Sequence, residues 1–145
     1  MEPPSSLPKP TDIRISSVVD VFPFDRLTQY GDKIVDVGGG KGHMMVSIAQ
    51  RYPDADLRFV VQDFAVVVDA GRDDCPADLR HKFEWVAFDF LAGDQPVKHA
   101  AAYFMRHIMH NWGDPYCAQI LKPIVAAMKP GVSRLLVADV SACCP

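Results

Sequence analysis

The chain has 145 residues, of which 49% are hydrophobic and 23% charged, and its formal net charge is −3. This is the balance of one ordinary soluble domain, and it excludes the basic footprint of a nucleic-acid or anionic-membrane binder. No apolar run approaches the about 20 residues of a membrane span.

The N-terminal stretch "MEPPSSLPKP" is rich in proline and carries no basic-then-apolar signal pattern. A cytoplasmic location is therefore the default. We expect residues 1–20 to be a mobile segment and 21–145 to be the folded domain. "ISSVVDVF" suits a short helix or an extended lead-in to Pro23. "KIVDV" (33–37) reads as a buried strand ending at glycines, and "HMMVSIAQRY" (43–52) has helical spacing up to Pro53. "LRFVVQD" (57–63) predicts a second strand. "FAVVVDAGR" (64–72) is ambiguous by propensity, but its place after a strand favours a helix.

"HKFEWVAFD" (81–89) and "AAYFMRHI" (101–108) give strands three and four. Asp114 followed by Pro115 predicts a side-chain cap and a proline at the first helical position. That helix should run to about Lys129, kink at Pro123 and stop at Pro130-Gly131. "RLLVADV" (134–140) is the fifth strand. Such strand–helix alternation means an α/β fold with a parallel sheet covered on both faces.

The four cysteines, Cys75, Cys117, Cys143 and Cys144, form no C-x-x-C pair and read as reduced thiols. No metal-ligand cluster is apparent from spacing.

"VDVGGGKGH" (35–43) is the stretch that packing alone does not explain. A strand, glycines and a helix start form an anion- or nucleotide-binding arrangement. A phosphate-cradling P-loop is excluded, because Gly42 stands where Ser or Thr must follow Lys41. The dinucleotide fingerprint fails at His43 when started from Gly38, and at Met45 when started from Gly40. What fits is Asp36-x-Gly38-x-Gly40-x-Gly42. The acid suits a ligand with a positive amino group, and the glycines let a ribose and a sulfonium-bearing chain lie against the backbone. Asp63, at the end of the second strand, is placed to bind ribose hydroxyls. Asp89 and Phe90 follow the third strand, where an adenine could be held. A plain tight turn with solvated strand-end acids is the alternative.

With these residues in hand, the chain resembles the caffeic-acid-type and fungal polyketide O-methyltransferases. The likeness runs from "FPFDRL" (22–27) through "VDVGGGKGH", "FVVQDF", "YFMRHIMHNWGD" and "ILKPIVAAMKPGVSRLLVADV". It implies a Rossmann-like class I methyltransferase sheet and S-adenosylmethionine as cofactor. By the same resemblance, Gly38, Gly40, Gly42, Asp63, Asp89, Phe90 and Arg106 fall at cofactor-contacting positions. His110 falls at the catalytic base, and Asp139 at an acid flanking it. Histidine suits a base near neutral pH, and a carboxylate on its other nitrogen would fix the tautomer. His107 reads as a wall or surface residue, and Met109 and Trp112 as packing.

The chain also departs from the family pattern. Asn111 stands where the family usually has Asp, and Asp139 is a methylene shorter than the usual Glu. Relative to the family, the large N-terminal dimerisation domain and the last two strands are expected to be lacking. The strand at 134–140 would then be an apolar edge, covered in a homodimer or domain-swapped assembly.

Three functions follow. The first is an O-methyltransferase of secondary metabolism acting on a phenolic or enolic hydroxyl of an aromatic or polyketide-like substrate. The second is a methyltransferase-like cyclase or isomerase. The third is a non-catalytic partner protein.

Overall fold

The computed structural model describes residues 15–139. In chain order these form α1 (Ile15–Val21), β1 (Lys33–Val37), α2 (His43–Arg51), β2 (Arg58–Asp63), α3 (Ala65–Asp74), β3 (Phe83–Ala87), β4 (Ala102–Arg106), α4 (Asp114–Ala127) and β5 (Arg134–Ala138), with short 3₁₀ turns between. The sheet order is β3-β2-β1-β4-β5, and every pairing is parallel.

Alternation along the strands sends successive side chains into two separate cores. Ile34, Phe59, Val61, Ala102 and Phe104 face one way and meet Met44, Met45, Ile48 and Ala49 of α2. Val35, Val37, Val60, Tyr103 and Met105 face the other and meet Ile120, Ile124 and Ala127 of α4. This is why the inner strands read as nearly continuous apolar runs, broken by Asp36 and Gln62: both faces are covered. α3 packs on β2 and β3, so the stretch that propensity left ambiguous is helical.

The expected elements need correction at several points. β3 is shorter than 81–89, and α4 ends at Ala127. Residues 15–20, placed in the mobile segment, lie in α1, and Val19 is buried in the first core. The hydrophobic pair Val18–Val19 gives that segment a face to bury, which outweighs its short length. Residues 1–14 lie outside the described ones, as does Val140, the expected end of the fifth strand. β4 ends at Arg106 and β5 at Ala138, so His107 and Asp139 stand in loops and His110 in the short 3₁₀ turn Met109–Asn111. Finally, Asp114 makes no side-chain cap. Gly113 is the capping residue, and its carbonyl accepts from the amides of Tyr116 and Cys117. Asp114 sits in the first turn beside Pro115, where its charge still favours the helix dipole. Pro123 lies inside α4 as expected, and having no N–H it leaves the Gln119 carbonyl without its intrahelical donor.

Candidate functional site

In a sheet of this order the direction of winding reverses between β1 and β4, and the crevice at their carboxyl ends is where such folds take ligands. A hollow of about 220 Å³ opens there. It is lined by Asp36, Gly38, Gly39, Gly40, Lys41, His43, Met44, Phe104 and Arg106.

The loop over this hollow is shaped by glycine conformation and by one neighbour. Gly38, Gly40 and Gly42 have φ of 67°, 62° and 77°, the left-handed region that side chains disfavour. A Cβ at Gly40 would meet nothing within 4 Å, so that residue leaves open space above the loop. Gly39 differs. Its φ is ordinary, but a Cβ there would collide with the carboxyl group of Asp36. Spacing did not single it out, because the need arises from a side chain beneath the loop.

Asp36 is the unusual group. It is only 2% exposed, and among the described residues nothing hydrogen-bonds to its Oδ2. Burial, reinforced by the charge of Asp63 and opposed by Arg106, pushes its pKa up to about 7. A buried carboxyl oxygen without a donor is costly, and here it lies beside a hollow.

Asp63 ties the loop to the sheet. Its Oδ2 accepts from the Gly40 amide at 2.9 Å, and its Oδ1 accepts from the Phe64 amide at 2.7 Å. The Gly39 amide donates to the Gln62 carbonyl at 2.9 Å. Gly42 caps α2 without any side-chain bond and lies under the ring of Trp85. Trp85 also closes on Gly71 of α3, a packing role that strand periodicity did not single out.

Phe90 and Ile108 form the wall beside Gly38. Phe90 continues edge-on to Trp112, with ring centroids 6.3 Å apart. Asp89 is exposed and uses Oδ1 to accept from the Leu91 amide. Like Asp63, Gly42 and Phe90, it does not line the hollow, which brings together Asp36, Gly38, Gly40 and Arg106 of the predicted residues. The loop carrying Asp89 and Phe90 is fixed from behind. Gln95 and Gln62 are fully buried and exchange reciprocal amide bonds of 2.6 and 2.9 Å. Tyr103 donates its hydroxyl to the Val97 carbonyl at 2.7 Å.

Beyond that wall lies a second, open hollow of about 470 Å³, lined by Met109, His110, Trp112, Asp114, Cys117, Val137 and Asp139. Here His110 Nδ1 and Asp139 Oδ1 are 2.6 Å apart, and the His110 amide donates to Asp139 Oδ2 at 3.1 Å. Asp139 as a residue is exposed, but its side chain is only 16% accessible against 37% for His110. The β4–β5 register, in which Arg106 pairs with Ala138, brings the two loops together. Met109 and Trp112 line this hollow as well as packing on the second core.

A parallel sheet with a glycine turn after its first strand, acids at the next strand ends and a reversal of winding at the crevice defines a Rossmann-like protein that binds a nucleotide-type cofactor. Within that class the match is specific. Residues 6–143 fit the model of the O-methyltransferase domain family, and the chain belongs to that family. The O-methyltransferase xanE of Aspergillus fumigatus is 46% identical over 121 residues, which is 83% of this chain and 27% of xanE. The chain thus spans about a quarter of the length of that relative. Among solved structures, LepI in complex with SAM is similar at 29% identity and a TM-score of 0.73, covering 83% of this chain and 31% of LepI. A pericyclic reaction enzyme is similar at 31% identity and a TM-score of 0.71, covering 81% of this chain and 31% of that one. No helix among the described residues is long and apolar enough to cross a membrane.

Proposed function

We propose that this chain carries the cofactor site and the proton-accepting pair of a small-molecule O-methyltransferase of secondary metabolism. In this reading the 220 Å³ hollow takes S-adenosylmethionine (SAM). The residues fit that group: Asp36 offers a buried, donorless oxygen to an ammonium, and Gly40 leaves room above the loop. Asp63 and Phe90 extend the seat toward a ribose and an adenine. Gly38 and Gly42 give the loop its turn, and Arg106 balances the acids. The relatives named O-methyltransferase and the SAM complex of LepI support the assignment.

When bound, SAM supplies a methyl group on a sulfonium centre, open to in-line attack. The chain's own task is to bring a phenolic or enolic oxygen into line and to remove its proton. The observation that carries this is the 2.6 Å contact between His110 Nδ1 and Asp139 Oδ1. With the Nδ1 proton donated to that carboxylate, Nε2 keeps a lone pair for the acceptor's hydroxyl proton. Asp139 then stabilises the imidazolium that forms. Asn111 does not enter the pair; its side chain donates to the His107 carbonyl at 3.2 Å.

Calorimetric titration with SAM and S-adenosylhomocysteine tests the cofactor site, with Asp63→Ala as control. Micromolar binding that the control loses is the expected result. No binding by the parent chain would overturn the reading.

A second reading is favoured by the similarity to a pericyclic reaction enzyme and by the openness of the His110 hollow to solvent. In it the pair steers a cyclisation or isomerisation without methyl transfer. Isotope-labelled SAM separates the two, since only the first moves label into product. Either enzyme would work as a dimer if β5 is covered by a second copy. Val137 on that edge strand is 50% exposed, and sedimentation at micromolar concentration reads the association directly.

A further inference from the structure

The loop after β4 and the residue after β5 bring together three side chains that the proposed proton transfer does not use as a set. One ring nitrogen of His107, one of His110 and one carboxylate oxygen of Asp139 lie within 4.8 Å of one another. From these we infer that His107, His110 and Asp139 form a binding site for a borderline divalent transition-metal ion of the zinc type.

Placement comes first. His107 has φ of 55°, a conformation that histidine visits more readily than most residues. Its amide donates to the Ala138 carbonyl at 3.0 Å, which fixes it next to Asp139 across the β4–β5 register. The His107 ring meets the His110 ring edge-on, with centroids 5.8 Å apart. His110 in turn is held on Asp139 through both its ring and its amide.

The donor set selects the ion. Two imidazoles and one carboxylate suit zinc and its neighbours, whereas magnesium and calcium prefer oxygen donors in larger number. Bond lengths of about 2.0–2.2 Å put ligand atoms on a tetrahedral ion about 3.4 Å apart. The donor atoms already lie within 4.8 Å of one another, so a small turn, chiefly of the exposed His107 ring, brings them to that spacing. Three protein ligands leave a fourth position open, the pattern of an exchangeable site and not of a closed structural one.

The consequence deepens the proposed function, and this part rests on it. A metal on the outer nitrogen of His110 removes the lone pair needed for the proton. A metal on the inner nitrogen displaces that nitrogen's bond to Asp139 and puts the ring's proton on the outer nitrogen, which then has no lone pair to offer. Either way, metal occupancy and base action at His110 exclude one another, so the ion acts as an inhibitor.

The test is direct metal binding, independent of methyl transfer. The full chain, freed of metal and kept reduced, is titrated with Zn²⁺ by calorimetry and with Co²⁺ by visible absorption. The variants are His107→Asn, which tolerates the left-handed backbone, and Asp139→Asn. His81→Asn, at the amino end of β3, is the control, and thermal melting verifies that each variant folds. We expect one ion per chain at micromolar affinity, ligand-field bands without a thiolate charge-transfer band, and at least tenfold weaker binding in the first two variants only. Three results would each overturn the inference: no saturable binding, equal binding by His107→Asn, or a cobalt–thiolate band pointing to cysteine ligands. Cofactor affinity of His107→Asn should stay at the parent value, so failure here is separable from failure of the cofactor assignment.

Discussion

His110 and Asp139 stand 29 positions apart in the chain, yet their ring nitrogen and carboxylate oxygen are 2.6 Å apart. Asp139 also accepts the His110 amide, so one carboxylate orients both the ring and the backbone that carries it. If this pair accepts the substrate proton, Asp139→Asn should lower the single-turnover rate of methyl transfer by about 10²–10⁴-fold. SAM affinity should not change, since neither residue lines the cofactor hollow. A rate within threefold of the parent would remove Asp139 from the mechanism.

Asp36 predicts a pH effect of unusual sign. Its folded pKa of about 7 lies above the ordinary 3.8, so the folded state holds a proton that the unfolded chain gives up. The associated stability is fully present below about pH 4 and is lost as pH rises through 7. The roughly three-unit difference corresponds to about 4 kcal/mol over that window. Denaturant midpoints at pH 5 and pH 8 should therefore fall with pH more in the parent than in Asp36→Asn. Equal slopes in the two proteins would mean that Asp36 is ionised in the empty site.

The same proton links to ligand. An ammonium seated against Asp36 requires the carboxylate, so SAM should bind more tightly at pH 8 than at pH 6 and release protons near pH 7. Calorimetry in buffers of different ionisation enthalpy measures that release. Zero proton release at pH 7 would separate Asp36 from the ammonium.

Gly39 and Gly93 give a matched pair of alanine substitutions. A Cβ at Gly39 meets the Asp36 carboxyl, whereas one at Gly93 meets nothing within 4 Å. Gly39→Ala should cost about 1–3 kcal/mol by overpacking and weaken SAM binding at least tenfold. Gly93→Ala should change stability by less than about 0.5 kcal/mol. Chemical denaturation of both variants suffices as the measurement, and a neutral Gly39→Ala would show that Asp36 can move aside.

What was legible in the sequence was local. The strands were marked by short apolar runs, and the glycine loop by the spacing Asp36-x-Gly38-x-Gly40-x-Gly42. The family likeness supplied His110 and Asp139. The remainder depends on partners far along the chain. Gly39 is required because Asp36 lies beneath it, and Trp85 matters because Gly42 and Gly71 leave space for its ring. Asp114 was misassigned as a cap because the Gly113 carbonyl opens the helix one residue sooner. His107 carried no motif, and only the β4–β5 register makes it a neighbour of Asp139.

The buried Gln62–Gln95 pair is the clearest of these long-range partnerships, and a double-mutant cycle can read it. The two amides satisfy each other across 33 positions and anchor the loop that carries Phe90. Replacing either one by methionine strands a buried amide, at about 1–3 kcal/mol. Replacing both removes the mismatch and restores an apolar contact, so the double variant should cost less than the sum of the singles by at least about 1 kcal/mol. Some cost remains, because Gln95 also accepts from the Val97 amide at 3.2 Å. If the pair positions Phe90 for an adenine, each single variant should also weaken SAM binding several-fold, and the double variant should recover part of that loss. Strictly additive stabilities would mean that the two glutamines act as separate polar groups and that the loop is held by Tyr103 alone.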